Sequence, residues 1–75
     1  MNNIAYWREK AGLTQSELAA LCGWEGEKPY QGRISNYEKG LRQPSIKHCQ
    51  AIVKALQSRG LKCSLDDVFP PATAA

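Results

Sequence analysis

Residues 13–40 read "LTQSELAALCGWEGEKPYQGRISNYEKG", and their apolar spacing predicts two short helices joined by an unusual segment. Thr14 is a good N-cap for the first of these helices, and Glu17 stands three residues later, which completes a capping box. Leu18 and Cys22 lie four residues apart on one apolar stripe, and Gly23 can end the helix in the left-handed conformation. The left part of the stretch is therefore predicted to be an amphipathic helix that ends at Gly23.

The right part of the stretch predicts a second helix. Pro29 suits the first helical position, because its missing N–H would be unpaired there in any residue. Ile34 and Tyr37 are spaced to face inward, and Gly40 is predicted to end the helix. Between the two helices lie two glutamates, a glycine, a lysine and a proline, the segment "EGEKP" at 25–29.

Further helices are predicted on either side of this stretch. Residues 3–11 place apolar residues at spacings of three and four, which predicts a short first helix. Ser45 is predicted to cap a fourth helix, and Ser64 to cap a brief fifth one, "LDDVF", which Pro70 and Pro71 stop. The fourth helix is predicted to carry one apolar face, made of Ile46, Cys49, Ile52, Val53 and Leu56. No strand-like alternation is visible, so the expected class is all-α with five helices.

Length and composition restrict the function. The 75 residues predict one domain over 1–69 and a short flexible tail over 70–75. No run of 18 apolar residues is present, so no membrane association is expected. There is also no secretory signal, which favours a cytoplasmic protein with its three cysteines reduced. These cysteines, Cys22, Cys49 and Cys63, are interpreted as small hydrophobic residues.

Charge is distributed unevenly along the chain. The net charge is +3, and Glu38 is the only acid in a window from Lys28 to Lys62 that holds eight basic residues. A polyanion partner explains this segregation, although a basic face that is merely solvated would give the same pattern. The sequence contains no metal-ligand cluster, no phosphate-binding glycine loop and no nucleophile paired with a base, and His48 is expected on a helix surface. We therefore predict neither enzymatic activity nor a cofactor nor a metal.

Four motifs resemble one known family. "GLTQSELA" at 12–19, "ISNYEKG" at 34–40, "RQPS" at 42–45 and "SLDDVF" at 64–69 are similar to the phage Cro and repressor family of helix-turn-helix proteins, also called XRE-like. The resemblance covers roughly residues 4–69 and implies a five-helix Cro/repressor-like domain that binds double-stranded DNA. By comparison with the family, "EGEKP" is an insertion in the turn between the second and third helices. Trp24 replaces a small aliphatic residue there and is expected to pack on the edge of the core.

The resemblance also implies which residues read bases. In this family, side chains near the start of the third helix enter the major groove. Gln31 falls on the first reading position and Gly32 on the second, where the missing side chain permits close backbone approach. Arg33 is an alternative reader with guanine as its natural target, Asn36 suits adenine, and Ser35 could reach a base or a phosphate.

Other residues match positions where family members grip the DNA backbone, which positions the protein without specifying sequence. Gln15, at the start of the second helix, is one of these. Tyr30 either contacts a phosphate or packs beside Trp24, and both alternatives remain open. The remaining backbone candidates are Lys39, Arg42, Gln43, Ser45 and Lys47. Arg8 and Glu38 stand where many family members keep a partly buried ion pair, so both are assigned a structural role.

The function that the resemblance implies is a sequence-specific transcriptional regulator, a small phage or prophage Cro-type repressor in the cytosol or nucleoid of a bacterial host. It would bind a pseudo-palindromic operator as a dimer, with weak association of the free chains that strengthens on the operator. The dimer surface is expected at the last helix and "VFPP". The alternative is an antitoxin or another protein-interaction module of the same fold.

Overall fold

The structure, a computed structural model, describes residues 2–24 and 30–70, without the side chains of Tyr30 and Gln31. It contains five α-helices: α1 (Ile4–Lys10), α2 (Gln15–Leu21), α3 (Tyr30–Glu38), α4 (Ile46–Gln57) and α5 (Leu65–Val68). No strand occurs in these two ranges, and the predicted five-helix, all-α class is confirmed. The segment "EGEKP" at 25–29, which was interpreted as an insertion, lies outside the described residues together with the predicted start of α3 at Pro29, as do residues 1 and 71–75.

The predicted N-terminal caps are present. Thr14 Oγ1 accepts a hydrogen bond from the Glu17 backbone N–H at 3.0 Å, and the Glu17 carboxylate accepts one from the Thr14 N–H at 2.8 Å. Ser45 caps α4 by accepting from the backbone N–H of His48, and Ser64 forms a second capping box with the third residue of α5. These side chains satisfy backbone donors that a helix leaves unpaired at its start.

Glycines end the two central helices. Gly23 and Gly40 have φ values of +82° and +75°, a region in which a residue with a Cβ atom is strained. At both, the glycine N–H and the following N–H bond back to carbonyls three and five residues earlier, which is a Schellman motif. Gly23 therefore turns the chain so that the Trp24 N–H bonds back to the Ala19 carbonyl of α2.

The core receives side chains from every helix. Among the described residues, the largest fully buried side chains are Ile4, Leu18, Ile34, Ile52, Leu56 and Val68. The two ends of the domain are joined where the Asn3 N–H donates to the Val68 carbonyl at 2.8 Å. Ile46 was wrongly assigned to the core face of α4: it is 69% exposed, because it is the first residue of the helix and lies beyond the core. Among the described residues, none of the helices is long and apolar enough to cross a bilayer.

Candidate nucleic-acid interface

An ion pair joins α1 to the end of α3. The Arg8 Nε atom lies 2.6 Å from Glu38 Oε2, and Arg8 Nη2 lies 3.4 Å from Glu38 Oε1. Both side chains are mostly buried, with exposed fractions of 14% for Arg8 and 9% for Glu38. Arg8 Nη1 also donates to the Leu13 carbonyl at 2.9 Å, which ties the pair to the connection between α1 and α2. The pair thus fixes α3 relative to both helices that precede it.

Glu38 also binds the first residue of α2. Gln15 Nε2 donates to Glu38 Oε1 at 2.9 Å, so the amide assigned to the DNA backbone is already hydrogen-bonded within the protein. No pattern in the sequence indicates this bond. The two residues are 23 positions apart, and only the packing of α2 against α3 brings them together.

Three rings pack together, one from the residue after Gly23, one from α3 and one from α4. Trp24 and His48 have ring centroids 4.5 Å apart, and Trp24 meets the Tyr37 ring edge-on at 6.2 Å. Tyr37 Oη and His48 Nδ1 share a hydrogen bond of 2.8 Å. Trp24 is only 6% exposed and belongs to the core rather than to its edge, where it was expected. This cluster of Trp24, Tyr37 and His48 is hereafter the aromatic cluster.

The prediction for His48 was wrong. Its side chain is half-buried between Trp24 and Tyr37 rather than on the helix surface. The available signal was its spacing of four residues from Ile52, which places both on one side of α4. A histidine satisfies such a position because its ring packs as an aromatic while Nδ1 bonds the Tyr37 hydroxyl.

Arg33 lies over the aromatic cluster. Its Cζ atom is 5.1 Å from the centroid of the Trp24 ring, a cation–π distance. Burial raises the pKa of Tyr37, and the positive charges of Arg33 and Arg42 partly oppose that rise. Tyr37 therefore keeps its hydroxyl proton at neutral pH. A role for Arg33 in reading guanine would require its guanidinium to leave the indole ring.

The other base-reading candidates lie along α3. Gly32, Ser35 and Asn36 are half-buried, and Asn36 is one helical turn beyond Gly32. The backbone of Gln31 lies within α3, but its side chain is outside the described part, as is that of Tyr30. The alternatives left open for Tyr30 therefore stay open.

The backbone-contact candidates follow α3 directly. The Asn36 carbonyl accepts from the N–H groups of Leu41 and Arg42, at 2.9 and 3.3 Å, which folds this loop back onto the end of α3. The Ser45 hydroxyl accepts the capping bond from His48 N–H and keeps its own proton available to donate. Five candidates have exposed side chains on this loop and at the start of α4: Lys39, Arg42, Gln43, Ser45 and Lys47.

The thiols have the environment of structural residues. All three cysteines are free, and burial raises the pKa of Cys22 to about 12. Burial also raises the pKa values of Cys49 and Cys63. A thiol with a raised pKa forms little of the thiolate that acts as nucleophile or metal ligand. No group of three potential metal-ligating side chains occurs in residues 2–24 and 30–70.

Comparison with protein families identifies the fold. A family model described as helix-turn-helix matches residues 4–67, which is most of the chain. Comparisons with curated proteins and with solved structures gave no significant match. The matched family is one of DNA-binding proteins rather than of enzymes. The chain therefore belongs to the Cro/XRE-like helix-turn-helix family and is a DNA-binding transcription regulator of that type.

Proposed function

We propose that this regulator is a Cro-type repressor of phage or prophage origin that binds a pseudo-palindromic operator as a dimer. Each protomer places α3 in the major groove, and the half-sites lie about one helical turn, roughly 34 Å, apart. The free chains associate weakly and the operator strengthens the dimer, through a surface at α5 and the residues after it. The protein works in the cytoplasm or nucleoid of a bacterial cell.

One observation carries the proposal: exposed cations directly follow α3, whose last residue is bonded to Arg8 and Gln15. Lys39, Arg42 and Lys47 are exposed on the loop and at the start of α4, and the chain has no acidic residue from 39 to 65. Glu38, the acid nearest to them in sequence, is neutralised by Arg8 at 2.6 Å. An α-helix fits the major groove of DNA, and cations exposed beside that helix can neutralise the phosphates that flank the groove.

Within this surface we assign the base contacts to Gln31, Gly32, Ser35 and Asn36, with Arg33 as a further reader once it leaves Trp24. A glutamine or asparagine amide can pair with N6 and N7 of adenine, and arginine with O6 and N7 of guanine. The backbone contacts belong to Gln15, Tyr30, Gln43 and Ser45 together with the three cations.

Binding to duplex DNA is expected to weaken steeply with salt. Each neutralised phosphate contributes about −0.9 to the slope of log K against log salt concentration, so three cations give about −2.7 for each protomer. Fluorescence anisotropy with a labelled duplex at several salt concentrations measures this slope. An affinity that does not change from low to moderate salt would contradict the proposed DNA-binding surface.

Gln31 and Arg42 are expected to behave differently when each is replaced by alanine. Gln31→Ala should cost about 1–3 kcal/mol on the preferred operator and relax the preference at one base position of each half-site. Arg42→Ala, the matched control, should weaken binding to operator and random duplex alike, because phosphate contacts carry no sequence information. A panel of single-base operator variants separates the two effects. If Arg42→Ala alters base preference and Gln31→Ala does not, our assignment of these two residues is reversed.

A further inference from the structure

The carboxylate of Glu38 connects three side chains at the junction of α1, α2 and α3. Its Oε2 atom accepts from Arg8 Nε at 2.6 Å, while Oε1 accepts from Gln15 Nε2 at 2.9 Å and from Arg8 Nη2 at 3.4 Å. The ion pair explains the two contacts between Arg8 and Glu38. It does not account for the bond to Gln15, which is one of the residues that we assign to the DNA backbone.

The chemistry of the carboxylate decides which end of the Gln15 amide faces it. An ionised carboxylate only accepts hydrogen bonds, so the amide must turn its NH₂ group toward Glu38. That group has two N–H donors, and Glu38 takes one of them. The Gln15 amide makes no other hydrogen bond within the described residues, so in that part of the chain its second N–H has no acceptor.

Glu38 is suited to hold this amide without repelling DNA. All three guanidinium nitrogens of Arg8 are bonded, two to Glu38 and one to the Leu13 carbonyl, so the charges of the pair offset each other in place. The Glu38 side chain is only 9% exposed, and Gln15 Nε2 lies 2.9 Å from one of its two carboxylate oxygens. Little of the carboxylate is therefore open to a phosphate, because both of its oxygens already accept hydrogen bonds from Arg8 or Gln15.

We propose that Glu38 is a positioning residue for DNA binding, which acts by holding the Gln15 amide with one N–H aimed at a phosphate. This inference rests on the proposed function. A glutamine side chain has many rotamers to lose when it binds, and fixing it beforehand lowers that cost. Glu38 thus links the structural ion pair to a contact with the nucleic acid.

A double-mutant cycle tests whether Glu38 acts through Gln15. Gln15→Met keeps the length of the side chain but removes its donors, and Glu38→Gln leaves one oxygen, which Arg8 would take. The NH₂ group of the new side chain would then face Gln15. Because this group donates and does not accept, the Gln15 NH₂ group would have to turn away from it. The probe is a random-sequence duplex of about 30 base pairs at low salt, because a phosphate contact does not depend on sequence.

Gln15→Met is expected to weaken binding about tenfold, the usual size of a lost hydrogen bond to a charged group. Glu38→Gln should have a similar effect, and the double variant should bind no more weakly than Gln15→Met alone. If Glu38→Gln weakens binding equally with or without the Gln15 amide, it does not act through Gln15 and the inference fails. If the unmodified protein does not bind the duplex, the proposed function fails first.

A measurement on the unmodified protein covers the case in which Glu38→Gln does not fold. In the ¹⁵N–¹H spectrum the two protons of the Gln15 amide give separate signals. The proton bonded to Glu38 should exchange slowly and stay in place when the duplex is added, while the second proton should shift. Loss of slow exchange on DNA binding would mean that Gln15 leaves Glu38 to reach the phosphate, which would overturn the inference.

Discussion

Replacing Glu38 with alanine should lower the free energy of unfolding by about 3–5 kcal/mol, the usual cost of removing one partner of a buried ion pair. Arg8 would keep its charge at 14% exposure but lose the carboxylate at 2.6 Å. A domain of this size has only about 5–15 kcal/mol of stability in total, so the loss would be a large part of it. Chemical denaturation followed by circular dichroism measures the change.

The chain offers a matched control for this prediction. Glu9 also lies near Arg8, with Oε2 at 3.8 Å from Arg8 Nη2, but its side chain is 73% exposed. Glu9→Ala should cost less than about 1 kcal/mol, because water screens an exposed pair. Equal losses of unfolding free energy for Glu9→Ala and Glu38→Ala would mean that burial does not increase the contribution of the Arg8–Glu38 pair to stability.

The second large effect is expected at Trp24. Trp24→Ala should cost about 3–5 kcal/mol, because it removes a large buried ring and leaves a cavity beside Tyr37 and His48. In a domain of 60–100 residues each 1 kcal/mol lowers Tm by about 4–8 °C, so the loss should reach about 12 °C or more. A thermal melt measures it. Tyr6→Ala removes an exposed ring and should change stability by less than about 1 kcal/mol. A Trp24 variant with the same Tm as the Tyr6 variant would mean that the aromatic cluster does not stabilise the fold.

The aromatic cluster and the Arg8–Glu38 pair bear on the orientation of α3. In a strict helix-turn-helix the short turn fixes the angle between the two helices. Here Trp24 precedes the segment 25–29, yet it packs against Tyr37 of α3 and His48 of α4. Glu38, the residue after Tyr37, ties the same end of α3 to Arg8 and Gln15. Side-chain contacts at the C-terminal end of α3 thus constrain this helix independently of the segment that joins it to α2.

The local features of the fold could be predicted because they depend on residues close in sequence. Thr14 with Glu17, Ser45 and Ser64 cap their helices through bonds that span three residues, so the pattern alone predicts them. The buried positions of Ile34 and Tyr37 follow in the same way from helical spacing.

Contacts between distant residues could not be predicted in this way. The bond from Gln15 to Glu38 and the stacking of Arg33 on Trp24 depend on how the helices pack, and no local pattern encodes them. His48 was misjudged because a polar residue near an apolar face is commonly exposed, and Ile46 because spacing does not show where the core ends. The base-reading role of α3 comes from family resemblance and stays a prediction.

Binding-site selection on a pool of random duplex DNA tests the central claim, that α3 reads base sequence, most directly. The unmodified protein is expected to enrich an inverted repeat with half-sites one helical turn apart. Gln31→Ala is expected to enrich the same repeat with one base position in each half-site no longer specified. A protein that binds the pool but enriches no motif, or a motif unchanged by Gln31→Ala, would contradict the account.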